Sequence, residues 1–447
     1  MKLPPGPDSP AAQQLVQFLA DPIKFMEGNA KSYGDIFTSV DLRSNPVIVV
    51  SNPQGIAQIA QADDDNKLES VGKPILKSFL GEHSLLTTTG DQRQRLRKLL
   101  MPPFHRENIE RYGLDIIQLT ERNLNNLQLS QPIIIDDFIS ELVLEIILKV
   151  VLGLEDPQRH SPTYQAIAFL LSFIKSPLNT SLFMVPALQV DLGAWSPWGN
   201  FLRRREQMDE EIYRQIQVVR AEKNQPGQNI LTLLLAARDE RGQALSQEEL
   251  RDELVTIIHG AHGPTIAPIL WGLYWLHQNP ASREQIVQEL SDLGPEPNPL
   301  DICRLPYLGA FCQETLRIYP TIVTPPREVL APMSLMGYDL EPGQRVVINI
   351  YLTHQRQDLY PEPQQFRPQR FLEKQFSPHE YLPFGGGRSK CLGDNLGLMI
   401  MKLVLATFIS RYQFTLLENE PIAPQLQGST LIPTKEIKLS LDRSQGL

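Results

Sequence analysis

Two prolines, Pro264 and Pro268, stand inside "HGAHGPTIAP" (259–268), in the middle of a stretch that otherwise reads as one long buried helix. Each removes an amide donor and crowds the preceding turn, at a cost of about 3 kcal/mol in a helix interior. Such a helix holds only if packing on its flanks supports it. The carbonyls of Gly260 and Pro264 lose their helical donors, so whatever passes this point meets free acceptors. The chain must fold around that interrupted helix.

A chain of 447 residues, 42% hydrophobic and 21% charged, can bury a large core. Thirty-seven prolines are spread along it and form no linker, and no repeat is visible. Helical patterning dominates from about 107 to 290. "ISELVLEIILKVVLGL" (139–154) is apolar nearly all round and reads as buried, whereas "FLRRREQMDEEIYRQIQVVRAEKN" (201–224) is amphipathic and faces the surface. "GDIFTSVDLRSNPVIVVSNP" (34–53) reads as a β-hairpin turning at Arg43–Pro46. Residues 329–354 return to strand character around a turn at Glu341–Gly343. A final helix starts near Cys391 and ends in "RYQF" (411–414). The expected fold is mostly α with small β-sheets, in one domain over 1–447.

The net charge of −9 argues against a nucleic-acid binder. The cysteines are Cys303, Cys312 and Cys391, with no CxxC spacing. That excludes a disulfide framework and a structural zinc site, and suits a reducing compartment. "MKLPPGPDSP" contains no apolar run of signal-peptide or membrane-span length. The expectation is a cytoplasmic monomer without a transmembrane segment, with peripheral membrane contact left open.

"FGGGRSKCLG" (384–393) is the most specific segment. Three glycines before a cysteine and one after it make a tight loop that can aim backbone amides at the sulfur, at a helix start. Amides and a helix N-terminus both stabilise a thiolate, and a thiolate is an axial ligand for heme iron. A lone cysteine at a glycine-rich turn is more often simply buried. Three further segments decide the matter. "ETLR" (314–317) puts Glu314 and Arg317 one turn apart on a helix. "FRPQRF" (366–371) supplies Arg370 to close a charge network, and "GDQRQRLRKLLMPPFH" (90–105) is a basic helix.

In this order, from "LPPGP" (3–7) to "RYQF", these segments resemble the cytochrome P450 superfamily of heme-thiolate enzymes, in the manner of a soluble bacterial and cyanobacterial member. The resemblance implies heme b as cofactor, with Cys391 as its axial metal ligand. It implies that Glu314, Arg317 and Arg370 form a structural triad. Arg97 and Arg327 resemble partners of the heme propionates, and Arg93 stands where relatives often carry tryptophan or histidine. Phe384 resembles the aromatic that packs near the thiolate.

The chain departs from the family pattern twice. Two residues before the cysteine, relatives usually have a propionate-binding arginine. Here stands Ser389 beside Arg388, so either Arg388 swings in or the contact is lost. Prostacyclin synthase and the bile-acid branch also lack that arginine. On the distal helix the family pattern of small residue, Gly, any, acid, Thr reads Gly260, Ala261, His262, Gly263, Pro264. The acid and alcohol thought to pass protons to dioxygen are Gly263 and Pro264, which have no proton-carrying group.

Three explanations compete. The substrate already contains an O–O bond, as in prostacyclin synthase, whose glycine-proline segment "GAHGPTIAPILW" resembles, and in fatty-acid peroxygenases. Alternatively, a dioxygen-dependent monooxygenase takes protons from water or substrate. Lastly, the prolines only widen the pocket, and the protein is a heme sensor or binding protein without turnover. The catalytic candidates are His262, Gly263 and Pro264, with His262 as donor or proton carrier above the heme or as a histidine satisfied in the core. His259 and His262 lack a nearby third ligand for a metal site of their own. Apolar stretches 166–188 and 84–90 suit a lipophilic substrate such as a fatty acid, oxylipin or terpenoid. Lys73, Lys77 and Lys175 are candidate carboxylate anchors within such segments. Arg93, Arg97, Lys98, Arg388 and Lys390 suit a ferredoxin-type redox partner.

Overall fold

The computed structural model describes residues 3–447 apart from 42–44, 72–75, 129–130, 155–158, 177–178, 180–181, 184, 222–228, 418–419, 428–429 and 444–447. A five-stranded sheet lies at one side. Strands β1 (Ile36–Val40) and β2 (Pro46–Val50) form the expected hairpin, Ile36 opposite Val50. Part of its turn, 42–44, falls outside the described residues. Strands β3 (Leu68–Ser70), β4 (Pro326–Val329) and β5 (Arg345–Ile348) complete it in the order β1-β2-β5-β4-β3, with β2 and β5 parallel. "LPPGP" docks on β1, where the Thr38 amide donates to the Pro5 carbonyl at 2.9 Å. A Cβ on Gly6 would meet the Thr38 carbonyl oxygen at 2.1 Å, so the close approach requires glycine there.

The helices that carry the argument are α1 (Pro53–Asp64), α2 (Gly90–Leu100), α3 (Ile135–Leu152), α4 (Pro162–Lys175), α5 (Pro197–Ala221), α6 (Gln247–Gln278), α7 (Pro306–Ile318) and α8 (Asp394–Arg411). Helix α3 is buried nearly all round, as its sequence demands, and ends at Gly153 in the left-handed conformation (φ +73°). Helix α5 buries Phe201, Met208, Ile212 and Ile216 and exposes its charged face. No helix among the described residues is long and apolar enough to cross a membrane.

Helix α6 runs unbroken through both prolines for 32 residues, about 48 Å at 1.5 Å per residue. A capping box opens it: Ser246 Oγ accepts the Glu249 amide at 3.0 Å and Glu249 Oε2 accepts the Ser246 amide at 2.9 Å. Its ends are buried from Leu250 to Thr256 and from Thr265 to Leu273. Packing on α3, α7 and α8 supplies what its local propensity lacks.

Two boundaries differ from expectation. Residues Ile350–His354 form a short helix because Asn349 Oδ1 accepts the Leu352 amide at 2.9 Å and ends the strand run. The last helix stops at Arg411, and Tyr412–Leu416 continues as a strand with alternate residues buried.

Candidate active site

The cysteine loop is built on two glycines that no other residue replaces cheaply. Gly385 (φ +73°) and Gly387 (φ +63°) turn the chain back so that the Cys391 amide donates to the Phe384 carbonyl at 3.0 Å. The Gly393 amide donates to the Cys391 sulfur. The Cys391 side chain is exposed, with protein packed around most of it. Phe104 and the sulfur flank Gly393, and Phe384 flanks Gly397. Burial pushes the Cys391 thiol up, against the pull of the Gly393 amide, Arg97 and Lys390 and with the push of Asp394. Coordination to a metal cation deprotonates a thiol outright.

Behind the loop sits the triad. Glu314 accepts from Arg317 Nε at 2.7 Å, Arg317 Nη2 at 2.9 Å, Arg370 Nε at 3.0 Å and the Arg367 amide at 2.8 Å. Glu314 and Arg317 are fully buried. Arg317 also donates to the carbonyls of His354 and Pro363, both at 2.8 Å. His354, which the sequence did not single out, links this network to the cysteine loop. Its Nδ1 pairs with the Arg317 carbonyl at 3.2 Å and its Nε2 accepts the Leu382 amide at 3.1 Å, two residues before Phe384. Burial, then the Arg317 charge, lowers it to about 3, so it is neutral.

Beside the loop, arginines gather in excess. Arg327, from β4, is 3% exposed and lies 3.3 Å from Asp63 Oδ2 of α1, with Nη2 at 3.5 Å from the Gly386 carbonyl. Arg97 donates to the Lys390 carbonyl at 2.7 Å. Arg93 makes no side-chain hydrogen bond or ion pair among the described residues. Burial lowers its pKa first, then repulsion by Arg327 and Arg97. Burial likewise lowers Arg97, which the Cys391 sulfur supports and Arg388 opposes. Asp63 is raised by burial despite Arg327, Arg388 and Arg93 around it. Arg327, Arg388 and Arg93 thus surround Asp63 while Arg97 lies toward Cys391, a partly desolvated corner that could cradle a ligand with two carboxylates. The two propionates of a heme fit it, with the Cys391 sulfur beside it as metal ligand.

Ser389 does not reach into the cradle: its hydroxyl meets that of Ser70 at 2.5 Å. Arg388 does not take the missing arginine's place either. It is held by the Asp63 carbonyl at 3.2 Å and by Asn66. Lys98 pairs with Glu240 at 2.6 Å and Lys390 with Asp394 at 2.6 Å. Lys77 pairs with Glu82 at 2.8 Å, and Lys73 and the Lys175 side chain lie outside the described residues.

On α6 one face is open. Gly260 is exposed, Ile257, Ala261, Gly263 and Pro264 are half-buried, and a Cβ on Gly260 or Gly263 would meet nothing within 4 Å. His262 is not on this face. It is 4% exposed, and its Nε2 lies 3.0 Å from the Ser140 carbonyl of α3. The expectation of a proton carrier at His262 is corrected accordingly: tertiary packing turns the ring toward α3, and it is a core histidine with a polar partner. Thr265 is buried on the same side. His259 meets Phe79 edge to face, with ring centroids 5.1 Å apart and an interplanar angle of 75°.

The comparisons agree with this geometry. A family model described as cytochrome P450 matches residues 4–441. The chain is 29% identical over 440 residues to cytochrome P450 135B1 of Mycobacterium tuberculosis, covering 98% of this chain and 91% of that protein. It is 29% identical to cytochrome P450 135A1 of the same organism, over 98% and 95% of the two chains. A solved structure titled retinoic acid bound cyanobacterial CYP120A1 matches with a TM-score of 0.83 at 23% identity, over 99% of this chain and 100% of that one.

Proposed function

The chain belongs to the cytochrome P450 family of heme-thiolate oxidoreductases, and from that premise we propose that it works on a lipophilic substrate whose O–O bond is already present, as a peroxide-using or isomerase-type enzyme. Cys391 would hold heme b through its sulfur, and the group when bound would supply the chemistry of O–O cleavage. Arg93, Arg97 and Arg327 hold its carboxylates, and Phe384 packs beside the sulfur. In a P450 fold the open face of α6 lies across from the cysteine.

One observation carries the reading. From Ile257 to Pro264 that face bears no hydroxyl, carboxyl or imidazole, because His262 and Thr265 are turned into the core. Gly263 and Pro264 can move no proton to dioxygen. What they leave is room, and a Gly260 carbonyl that Pro264 deprives of its helical donor. That oxygen accepts a hydrogen bond from a hydroperoxide or hydroxyl of the substrate and orients it. The cavity that Phe79, Leu171, Met208, Val255, Ile258 and His259 line against α6 is only about the size of one water, so the lipophilic substrate rests on the apolar stretch 166–188.

The alternative is dioxygen-dependent monooxygenation fed by a ferredoxin-type donor. It is favoured by the exposed Lys98 and Lys390, on the helix and loop that flank Cys391. The double variant G263D/P264T separates the two. With a surrogate reductase and dioxygen, the wild type should consume reductant with little product, and the double variant should form more product per reductant. A wild type that already couples well, unchanged in the double variant, overturns the peroxide reading.

A further inference from the structure

Glu253 sits on α6 upstream of the open face. Helical spacing aligns Glu253, Ile257, Gly260 and Pro264 in one stripe. Glu253 is fully buried. Its Oε1 accepts the Leu85 amide at 2.7 Å, and its Oε2 is buried with no hydrogen-bond partner. Desolvation pushes its carboxyl well above the ordinary range. The Leu85 amide and Arg93 pull it down, while Asp252 and Glu249 push it further up. A carboxyl buried with no cation paired to it keeps its proton, so Glu253 has one oxygen accepting and the other without a partner. Nothing in the chemistry proposed above uses it.

Its neighbours show what it holds. Arg251 Nη1 donates to the Leu80 carbonyl at 3.1 Å, Asp252 Oδ2 accepts the His83 amide at 2.9 Å, and Thr256 Oγ1 meets Ser84 Oγ at 2.6 Å. At Gly81 (φ +101°) the loop passes so close that a Cβ would meet the Asp252 carboxyl at 2.1 Å. Consecutive residues of α6 therefore clasp the segment from Leu80 to Leu86. Arg251 also pairs with Asp209 of α5, so the same turn of α6 ties down two elements. The segment runs into the uncharged stretch "SLLTTT" (84–89), whose apolar residues are Leu85 and Leu86.

We propose that Glu253 is a positioning residue that latches the 83–88 loop. Its neutral carboxyl holds the Leu85 amide while the loop is down, and it releases its proton to water when the loop lifts. The O–H bond breaks, the proton passes to solvent, and the carboxylate is left hydrated. This rests on the reading of a heme-thiolate pocket for a lipophilic molecule. A hydrated glutamate titrates near 4.3. Opening at neutral pH therefore releases one proton, and the open fraction rises by up to about tenfold per pH unit. The charged groups facing Glu253 are Asp252 and Glu249 on α6, paired with Arg251 and Arg95. The other is Arg93 on α2, while His83, the titratable group of the loop, interacts with Glu248.

The test uses the full-length, heme-loaded protein and stopped-flow spectroscopy from mildly acidic to mildly alkaline pH. Octyl isocyanide is a long, uncharged heme ligand that needs the loop to lift, and carbon monoxide is small enough not to. The association rate of octyl isocyanide with wild type should climb by up to about tenfold per pH unit, and H83Q should keep that slope. E253Q accepts the same Leu85 amide but cannot ionise, so its rate should be flat. Carbon monoxide rates should be flat in all three. An E253Q slope equal to wild type, or a slope abolished by H83Q, overturns the latch. If E253Q does not fold, infrared spectra of the wild type decide: a protonated-carboxyl band must persist at neutral pH, and its absence overturns the proposal. No carbon monoxide complex at all contradicts the heme-thiolate reading itself, a different failure from an unchanged slope.

Discussion

Replacing Pro264 by alanine should make the protein more stable and less suited to its reaction. Proline in a helix interior costs about 3 kcal/mol relative to alanine. Proline also stiffens the unfolded chain, which returns about 0.4–1 kcal/mol that the substitution gives up. Pro264 is half-buried, so little packing is lost with its ring. The net expectation is a gain of about 2 kcal/mol for P264A. Unfolding entropy of about 2.1 cal/mol/K per residue over 447 residues converts that to a rise of about 2 °C in Tm. Pro268 is fully packed. P268A forfeits roughly two buried methylenes at about 0.8 kcal/mol each, so its gain should be under about 0.5 °C. Scanning calorimetry of the heme-loaded proteins measures both. P264A also restores a donor to the Gly260 carbonyl, so turnover that depends on that free oxygen should fall as Tm rises. A P264A protein with lower or unchanged Tm would show that the Gly260 carbonyl already has a donor, and the argument from the interrupted helix would fail.

E314Q leaves two buried guanidiniums facing a neutral amide, and breaking such a network by removing one partner costs about 3–5 kcal/mol. The expected outcome is a lower Tm and a reduced heme-to-protein ratio after purification; full heme retention with an unchanged Tm would contradict it. Asp136, at the start of α3, accepts the Ile437 amide at 2.8 Å. Burial raises it to about 6, the amide pulling down and Glu436 and Asp137 pushing up. A raised carboxyl pKa favours the fold while the group is protonated, and that stability is lost as pH rises from the ordinary 3.8 through about 6. D136N keeps the acceptor and removes the titration. Its Tm should match wild type in acid and exceed it above neutrality, and a constant offset across pH would refute the assignment.

How much of this was legible in the sequence follows from which residues act locally. Cys391 and its glycines declare themselves because the turn needs left-handed backbone at fixed offsets. Glu314 and Arg317 do so because three residues make one helical turn. Arg370 joins them from 56 residues away, so its place there came from the resemblance and not from local spacing. His262 stayed open between proton carrier and core histidine because spacing fixes only its angle on the helix, and its partner, the Ser140 carbonyl on α3, is far away in the chain. Ser389 and Arg388 likewise found partners, Ser70 and Asn66, that no local rule names. Glu253 went unnoticed although a signal existed: an acid between Asp252 and Leu254, just as α6 turns apolar, has to be paired or neutral. The short helix at 350–354 was hidden by β-branched neighbours until the Asn349 cap came into view.

The most direct test of the central claim mixes the purified ferric protein with a lipid hydroperoxide or endoperoxide, without reductant, and follows product by mass spectrometry. The proton-free face of α6 predicts rapid product from an intact heme. No product under those conditions, together with turnover once a ferredoxin system and dioxygen are supplied, would contradict it and make the chain a monooxygenase whose protons arrive by another route.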